Sequence, residues 1–224
     1  IATTVSSVLP ASFLQNIILD AAVFSSGTGL NRLEVYSNKT VSVAADTTLK
    51  LAGGGKLSLQ GDTVNMLGVI DAPAGTVKLG TPLTRASINQ VPGALNVGAL
   101  GTTSYISTRG QWVNDSAQLG VPDLSKPLLV NGGSISLNSG GDLNVATGTR
   151  LEASGGAWLD TANKLHGGNG GAITLSNGGV NGLTSKAFQA KLDGLDLRSY
   201  GTGGGKGGAL TIKAGNIVLG APNG

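Results

Sequence analysis

Gly203-Gly204-Gly205-Lys206-Gly207-Gly208 satisfies GxGxxG and has the look of a loop that cradles phosphate. A dinucleotide site needs a strand before such a loop and a helix after it, whose N-terminus holds the phosphate. Here Ala209-Leu210-Thr211-Ile212 follows, a strand pattern. The lysine is also misplaced for a nucleotide loop, since Gly201 lies one residue too close to Lys206 and Gly207 stands where Ser or Thr belongs. Turn glycines are the better reading. Glycoside hydrolysis needs two carboxylates about 5 to 10 Å apart. Asp193 and Asp196, which flank Gly194 beside Arg198, are the pair close in sequence. Asp71 lies on or beside a strand, and Glu34 and Glu152 are the only glutamates. The pair reads more simply as turn and solvent-face residues. His166 sits alone in a glycine-rich stretch, with neither a second His nor a Cys to complete a metal site, so an exposed turn residue is expected. No Asp trio points to calcium, and no Ser–His–Asp pattern with a strand-turn-helix elbow appears. The sequence thus assigns no catalytic residue, no metal ligand and no cofactor.

Aromatic side chains carry more promise. Rings on loops or on the outer face of a rigid scaffold can stack on sugars or dock a partner chain. Trp112, Tyr105 and Tyr200 are the candidates for a binding contact, with Trp112 foremost, whereas Trp158 reads as a packing residue at a corner. Asn38-Lys39-Thr40 and Asn114-Asp115-Ser116 match the glycosylation sequon, a pattern common by chance.

The elements that hold these residues follow from composition and spacing. Of 224 residues 38 are Gly, 40% are hydrophobic, 12% are charged and 4% are aromatic, which fits a folded chain with an aliphatic core. A net charge of +3, spread evenly, describes a solvated surface rather than a nucleic-acid patch. Without Cys there are no disulfides, which suits a protein that crosses membranes unfolded. No apolar run is long enough to span a bilayer. The chain starts at Ile1 and ends within a repeat phrase, as expected of an internal or mature piece of a longer protein.

One phrase recurs: Gly132-Gly133-Ser134-Ile135-Ser136-Leu137, Gly170-Gly171-Ala172-Ile173-Thr174-Leu175 and Gly207-Gly208-Ala209-Leu210-Thr211-Ile212. Its apolar anchors lie 173 − 135 = 38 and 210 − 173 = 37 residues apart, and Leu57 and Leu95 continue the series upstream. Nearer the start, Leu33/Val35, Val41/Val43, Leu49/Leu51 and Leu57/Leu59 alternate with polar residues, each pair 8 residues after the last. Short strands with one face inward, separated by brief turns, make a polygonal coil rather than a hairpin sheet. Glycines such as those at 53 to 55 and at 61 are expected to supply the turns by reaching φ > 0. Phrases at 57, 77 and 95 are 20 and 18 apart, which reads as one coil of a parallel β-helix of about 20 residues, so that the 38-residue period counts two coils. Asparagines at 131, 138, 169, 177, 181 and 216 suit turn positions and can form ladders. Residues 110–128, with Pro122 and Pro127, break the rhythm and are expected to be a loop leaving the body, and Ser185 to Lys191 is a smaller break. Residues 13 to 24 allow a short helix or buried strands, with strands favoured.

Several phrases, in their order, resemble the filamentous-haemagglutinin family of large bacterial exoproteins, the passengers of two-partner secretion. They are Gly110-Gln111-Trp112-Val113-Asn114-Asp115-Ser116, Gly132 to Leu137, Leu151-Glu152-Ala153-Ser154-Gly155-Gly156-Ala157-Trp158-Leu159, His166 to Leu175 and Leu195-Asp196-Leu197-Arg198-Ser199-Tyr200-Gly201. Residues 30 to 80, including Gly68-Val69-Ile70-Asp71-Ala72-Pro73-Ala74-Gly75, are similar too. The resemblance implies a right-handed parallel β-helix, an outer-membrane pore transporter as export partner, and a place outside a Gram-negative cell, secreted or on its surface. The family's amino-terminal secretion domain and any carboxy-terminal effector find no counterpart here. The expectation is therefore an all-β, single β-helix segment over residues 1–224, a structural shaft of an adhesin or filament acting in adhesion or biofilm. Its partners would be surface glycans or proteins, or further copies of itself, and not nucleic acid. The alternatives are a carbohydrate-active β-helix enzyme, lyase or hydrolase, working through Asp193 and Asp196, and the stalk of a contact-dependent toxin.

Overall fold

In the computed structural model, residues 24, 29–81, 93–98, 104–116, 128–177 and 190–214 are described. Apart from Phe24, alternating apolar and polar residues make them all-β. The first strands are β1 (Arg32–Val43), β2 (Thr48–Lys50), β3 (Lys56–Met66), β4 (Val69–Asp71), β5 (Thr76–Gly80) and β6 (Leu95–Val97). Next come β7 (Tyr105–Ser107), β8 (Trp112–Asn114), β9 (Ser134–Asn138), β10 (Leu143–Val145), β11 (Arg150–Glu152) and β12 (Ala157–Leu159). The last are β13 (Leu165–Gly167), β14 (Ala172–Ser176), β15 (Ala190–Lys191), β16 (Asp196–Arg198) and β17 (Ala209–Lys213).

Pairing is parallel in the two larger sheets and joins strands far apart in sequence. The strands fall into three columns. The first stacks the leading halves of β1 and β3 with β5, β9, β14 and β17. In the second, the trailing halves of β1 and β3 stack with β6, β10 and β15. The third is the separate sheet of β2, β4, β7, β11 and β16. The chain visits the columns in turn and then returns to the first, so the sheets curl around one interior, an arrangement compatible with a β-solenoid. Leu33, Val41 and Leu49 open the three columns of the first coil and Leu57 pairs back onto Leu33, which is what the 8-residue spacing anticipated.

The longer period has a different meaning from the one expected. Ile135 pairs directly with Ile173, and Ile173 with Leu210, so 38 residues make one coil and not two. Leu95 belongs to the second column, opposite Val64, and does not stack over Leu57. Column-one anchors lie 57 − 33 = 24, 77 − 57 = 20, 135 − 77 = 58, 173 − 135 = 38 and 210 − 173 = 37 residues apart. About 20 residues per coil thus holds early in the chain only. A parallel ladder demands that each strand return in register, and it leaves the length of the corner between strands free.

Inside the columns Leu57, Met66, Ile70, Val77, Leu95, Ile106, Ile135, Leu137, Leu151 and Ile173 are buried and form one cluster. Each coil alone would leave its apolar edge in water, and stacking covers it. Polar ladders line the outside. Asn96 Nδ2 donates to Asn65 Oδ1 and Asn144 Nδ2 to Asn96 Oδ1, each at 2.8 Å, along the second column. At the corner before the first column, Asn131 Oδ1 accepts from the Asn169 amide and Asn169 Oδ1 from the Lys206 amide, again at 2.8 Å. The turn ladder expected of Asn131 and Asn169 is therefore present, whereas the strand ladder uses asparagines that spacing did not single out.

The glycine pairs of the recurring phrase serve a purpose other than turning with φ > 0. A Cβ on Gly133 would meet the Gly75 carbonyl at 1.9 Å, and one on Gly171 the Gly133 carbonyl at 1.8 Å. One on Gly208 would meet the Gly171 carbonyl at 1.9 Å. Backbone packs on backbone from coil to coil here, and only hydrogen fits between. Gly54, by contrast, does turn the chain at φ 72°. Gly61 is no turn; it lies within β3, opposite Ser37 and beside a bulge in β1.

Residues 110–116 of the expected loop stay with the body. Residues 104–114 run alongside 150–159, with bonds from the amides of Thr108 to the Glu152 carbonyl, Gly110 to Ser154 and Ala157 to Gln111. β8 and β12 pair in parallel and β13 folds back antiparallel on β12, forming a third, three-stranded sheet beside the third column. Pro122 and Pro127 lie outside the described residues, as do Asn181, Asn216 and residues 185 to 189. So does the stretch from 13 to 23; Phe24, the one described residue near it, is helical rather than extended and is buried against the core.

Gly171→Ala should destabilise the fold by about 2 kcal/mol or more, because the new methyl overpacks a backbone contact. Gly148→Ala, at φ 85° with open space around it, should cost only about 1 kcal/mol of backbone strain. Urea unfolding of the two variants checks the order, and equal losses would contradict the contact.

Candidate functional site

Inward Ile70, Ile106 and Leu151 leave their strand neighbours facing out from the third column. Two rows result from the register: Thr48–Val69–Tyr105–Arg150–Asp196 and Lys50–Asp71–Ser107–Glu152–Arg198. In the first row Arg150 Nε contacts Asp196 Oδ2 at 2.8 Å, and Arg198 Nη2 reaches the same oxygen at 2.9 Å. Hydrogen bonds from Arg198, and then from Arg150, hold the Asp196 carboxyl below the usual carboxylate range. The Arg150 guanidinium also lies over the Tyr105 ring, 5.9 Å from its centroid, so this candidate ring is half-buried and already has a cation on it. Glu152, buried beside Arg198, adds to the field that raises the Arg198 pKa.

The third sheet carries the two tryptophans on opposite faces. Trp112 pairs with Ala157 and stands 62% exposed. Trp158 points the other way, in a row with Val113 and His166. Its Nε1 donates to Asp115 Oδ2 at 2.8 Å, and its ring stacks on the His166 imidazole at 4.7 Å. His166 Nε2 lies 2.7 Å from Asp160 Oδ2, and Asp160 Oδ1 accepts from the amides of Ala162 and Lys164. The His166 contact first, and the Lys164 amide next, draw the Asp160 carboxyl below its ordinary value. His166 is thus a half-buried strand residue holding a hairpin together, and not the exposed turn residue expected from its glycine-rich surroundings. Trp158 does pack, as its position implied.

Between these surfaces runs an open groove of about 480 Å³, lined by Asp71, Pro73, Ser107, Arg109, Gln111 and Trp112 among others. Gly53 packs against Gln111 and Leu129; a Cβ there would meet Leu129 Cδ1 at 2.7 Å and Gln111 Nε2 at 2.9 Å, so the glycine leaves room for both side chains. Tyr200 is 64% exposed two coils further on. Its amide donates to Ser154 Oγ and its carbonyl accepts from the Gly155 amide, while the Ser154 carbonyl accepts from the Gly110 amide. Through Ser154 and Gly155, Tyr200 is thus linked to the coil that Gly110, two residues before Trp112, also contacts. Spacing missed Arg109 and Gln111, although both lie in the stretch around Trp112. It also passed over Tyr36, an exposed ring on β1.

Asp193 and Asp196 sit in different surroundings. Asp193 is an exposed turn residue whose carbonyl accepts from Thr147 Oγ1 at 3.1 Å, and Asp196 is occupied by its two arginines. The glycine run also reads as geometry. Gly203 and Gly204 turn at φ 55° and 88°, and strand β17 follows where a phosphate loop would need a helix. No family of known proteins, no curated protein and no solved structure matches this chain.

Both depressed carboxyls carry a pH consequence. An aspartate has a pKa of about 3.9 when unfolded, so stability from Asp160 and Asp196 is fully present above that value and is lost as pH falls through it toward their lower folded values. Thermal melts from pH 7 down to pH 2 should show a steep loss of Tm below about pH 4. Asp196→Asn and Asp160→Asn should each flatten that loss, and an unchanged profile in both would contradict the assignment.

Proposed function

We propose that this chain is a segment of a right-handed parallel β-helix shaft, part of a secreted bacterial exoprotein of the filamentous-haemagglutinin type. Its work is mechanical and adhesive rather than catalytic. The observation that carries this reading is coil-on-coil parallel register. It ties Leu33, Leu57, Val77, Ile135, Ile173 and Leu210 into one column and makes each coil the template for the next. A stack held this way resists bending, while exposed rings such as Trp112 and Tyr200 stand on its surface. Export through an outer-membrane pore transporter suits a chain without Cys, which can cross unfolded and then wind up coil by coil. Surface glycans or proteins on a neighbouring cell, or other copies within a biofilm matrix, are the partners such a shaft would meet.

The enzyme reading loses support at Asp196. A general acid at neutral pH needs a raised pKa, and two arginines pull this carboxyl the other way.

Fractionation of the source cells should place the protein outside, in the medium or on the surface where added protease reaches it. Deleting the pore transporter should trap it within the envelope. A cytosolic location would overturn the proposal. So would cleavage of a polysaccharide by the purified chain that disappears in Asp193→Asn and Asp196→Asn.

A further inference from the structure

We infer that the groove beside Trp112 is a binding site for an uncharged oligosaccharide. The inference rests on the reading of the chain as a binding shaft and adds the ligand and its site. Sugar rings present an apolar C–H face and an equatorial rim of hydroxyls. They are therefore held by an aromatic plane together with planar polar groups that donate and accept in pairs. The groove has both. Trp112 supplies the plane, fixed by its strand pairing and open to solvent. Asp71, Arg109 and Gln111 supply a carboxylate, a guanidinium and an amide around the same space. Among the described residues, no side-chain hydrogen bond or ion pair occupies these three, in contrast to Arg150, Arg198 and Asp196 one and two coils along. Ser107 contributes a hydroxyl at the groove floor.

The groove spans two coils, for Asp71 and Pro73 belong to one and Ser107, Arg109, Gln111 and Trp112 to the next. Charge points to an uncharged ligand: in the groove's lining one carboxylate, Asp71, is matched by one guanidinium, Arg109, and Lys50, beside Asp71 in register, lies outside that lining.

The test is titration calorimetry of the 224-residue chain with neutral hexasaccharides (cello-, laminari-, malto- and xylo-oligosaccharides) and with hexagalacturonate and a heparin hexasaccharide as acidic counterparts. At least one neutral probe should bind with Kd of about 1 mM or tighter, and the acidic ones more weakly. Trp112→Ala should weaken that binding at least about ten-fold and Arg109→Gln several-fold, both with unchanged thermal melts, while Trp112→Phe should restore much of it. Binding of none of the probes, preference for the acidic ones, or full binding by Trp112→Ala would overturn the inference. A surface-displayed protein that binds no oligosaccharide would remove the groove assignment and leave the shaft standing. Binding by a protein found in the cytosol would do the reverse.

Discussion

Each strand in the larger sheets finds its partner one coil away, and almost everything else in the structure is a consequence of that parallel ladder. A parallel ladder fixes which residues become neighbours: Ile135 sits between Val77 and Ile173 although 58 and 38 residues of chain intervene. The interior then needs only small and aliphatic side chains in register, so a chain with 4% aromatics still has a continuous core. The exterior inherits the same order. Side chains that would be scattered in sequence become rows, and rows of asparagine bond to one another while rows of charge pair off.

The ladder also explains which parts of the fold could be read from the residues. The 8-residue alternation of Leu33, Val41, Leu49 and Leu57 reports the corners of a coil directly, because there each corner is short. The 38-residue return was legible as a repeat but not as a count of coils. Any corner may be lengthened by a hairpin such as β12–β13 without disturbing register, so a period alone does not distinguish one long coil from two short ones. Gly133, Gly171 and Gly208 were visible as recurring glycines, yet the reason for them lies in carbonyls one coil away, which no local pattern encodes. Trp112 and Tyr200 were singled out because aromatics are scarce in this chain, and both rings are exposed. Arg109 and Gln111 were not, since a polar residue gains meaning only from the space it faces.

Electrostatics divides the outer surface in the same spirit. Where two arginines reach Asp196, charges neutralise one another and stiffen the flank. Below them, in the groove, a carboxylate and a guanidinium remain without such partners beside an exposed ring. The clasp of Asp160, His166, Trp158 and Asp115 does a different job, tying the folded-back strand β13 and its hairpin to the sheet that presents Trp112.

The asparagine ladder at the corner bears on how the protein ages. Asn131-Gly132 and Asn169-Gly170 are the dipeptide most prone to spontaneous deamidation: the glycine amide nitrogen attacks the asparagine side-chain carbonyl, ammonia leaves, and the succinimide formed opens to aspartate or isoaspartate. Here the Gly132 amide donates to the Asn169 carbonyl and Asn131 Oδ1 accepts from the Asn169 amide. One coil up, Gly170 and Asn169 make the same two bonds to Lys206. Nucleophile and target are each bound to the next coil instead of to one another. A device that fixes register therefore also stops a chemical clock, and a break in the ladder would start it again.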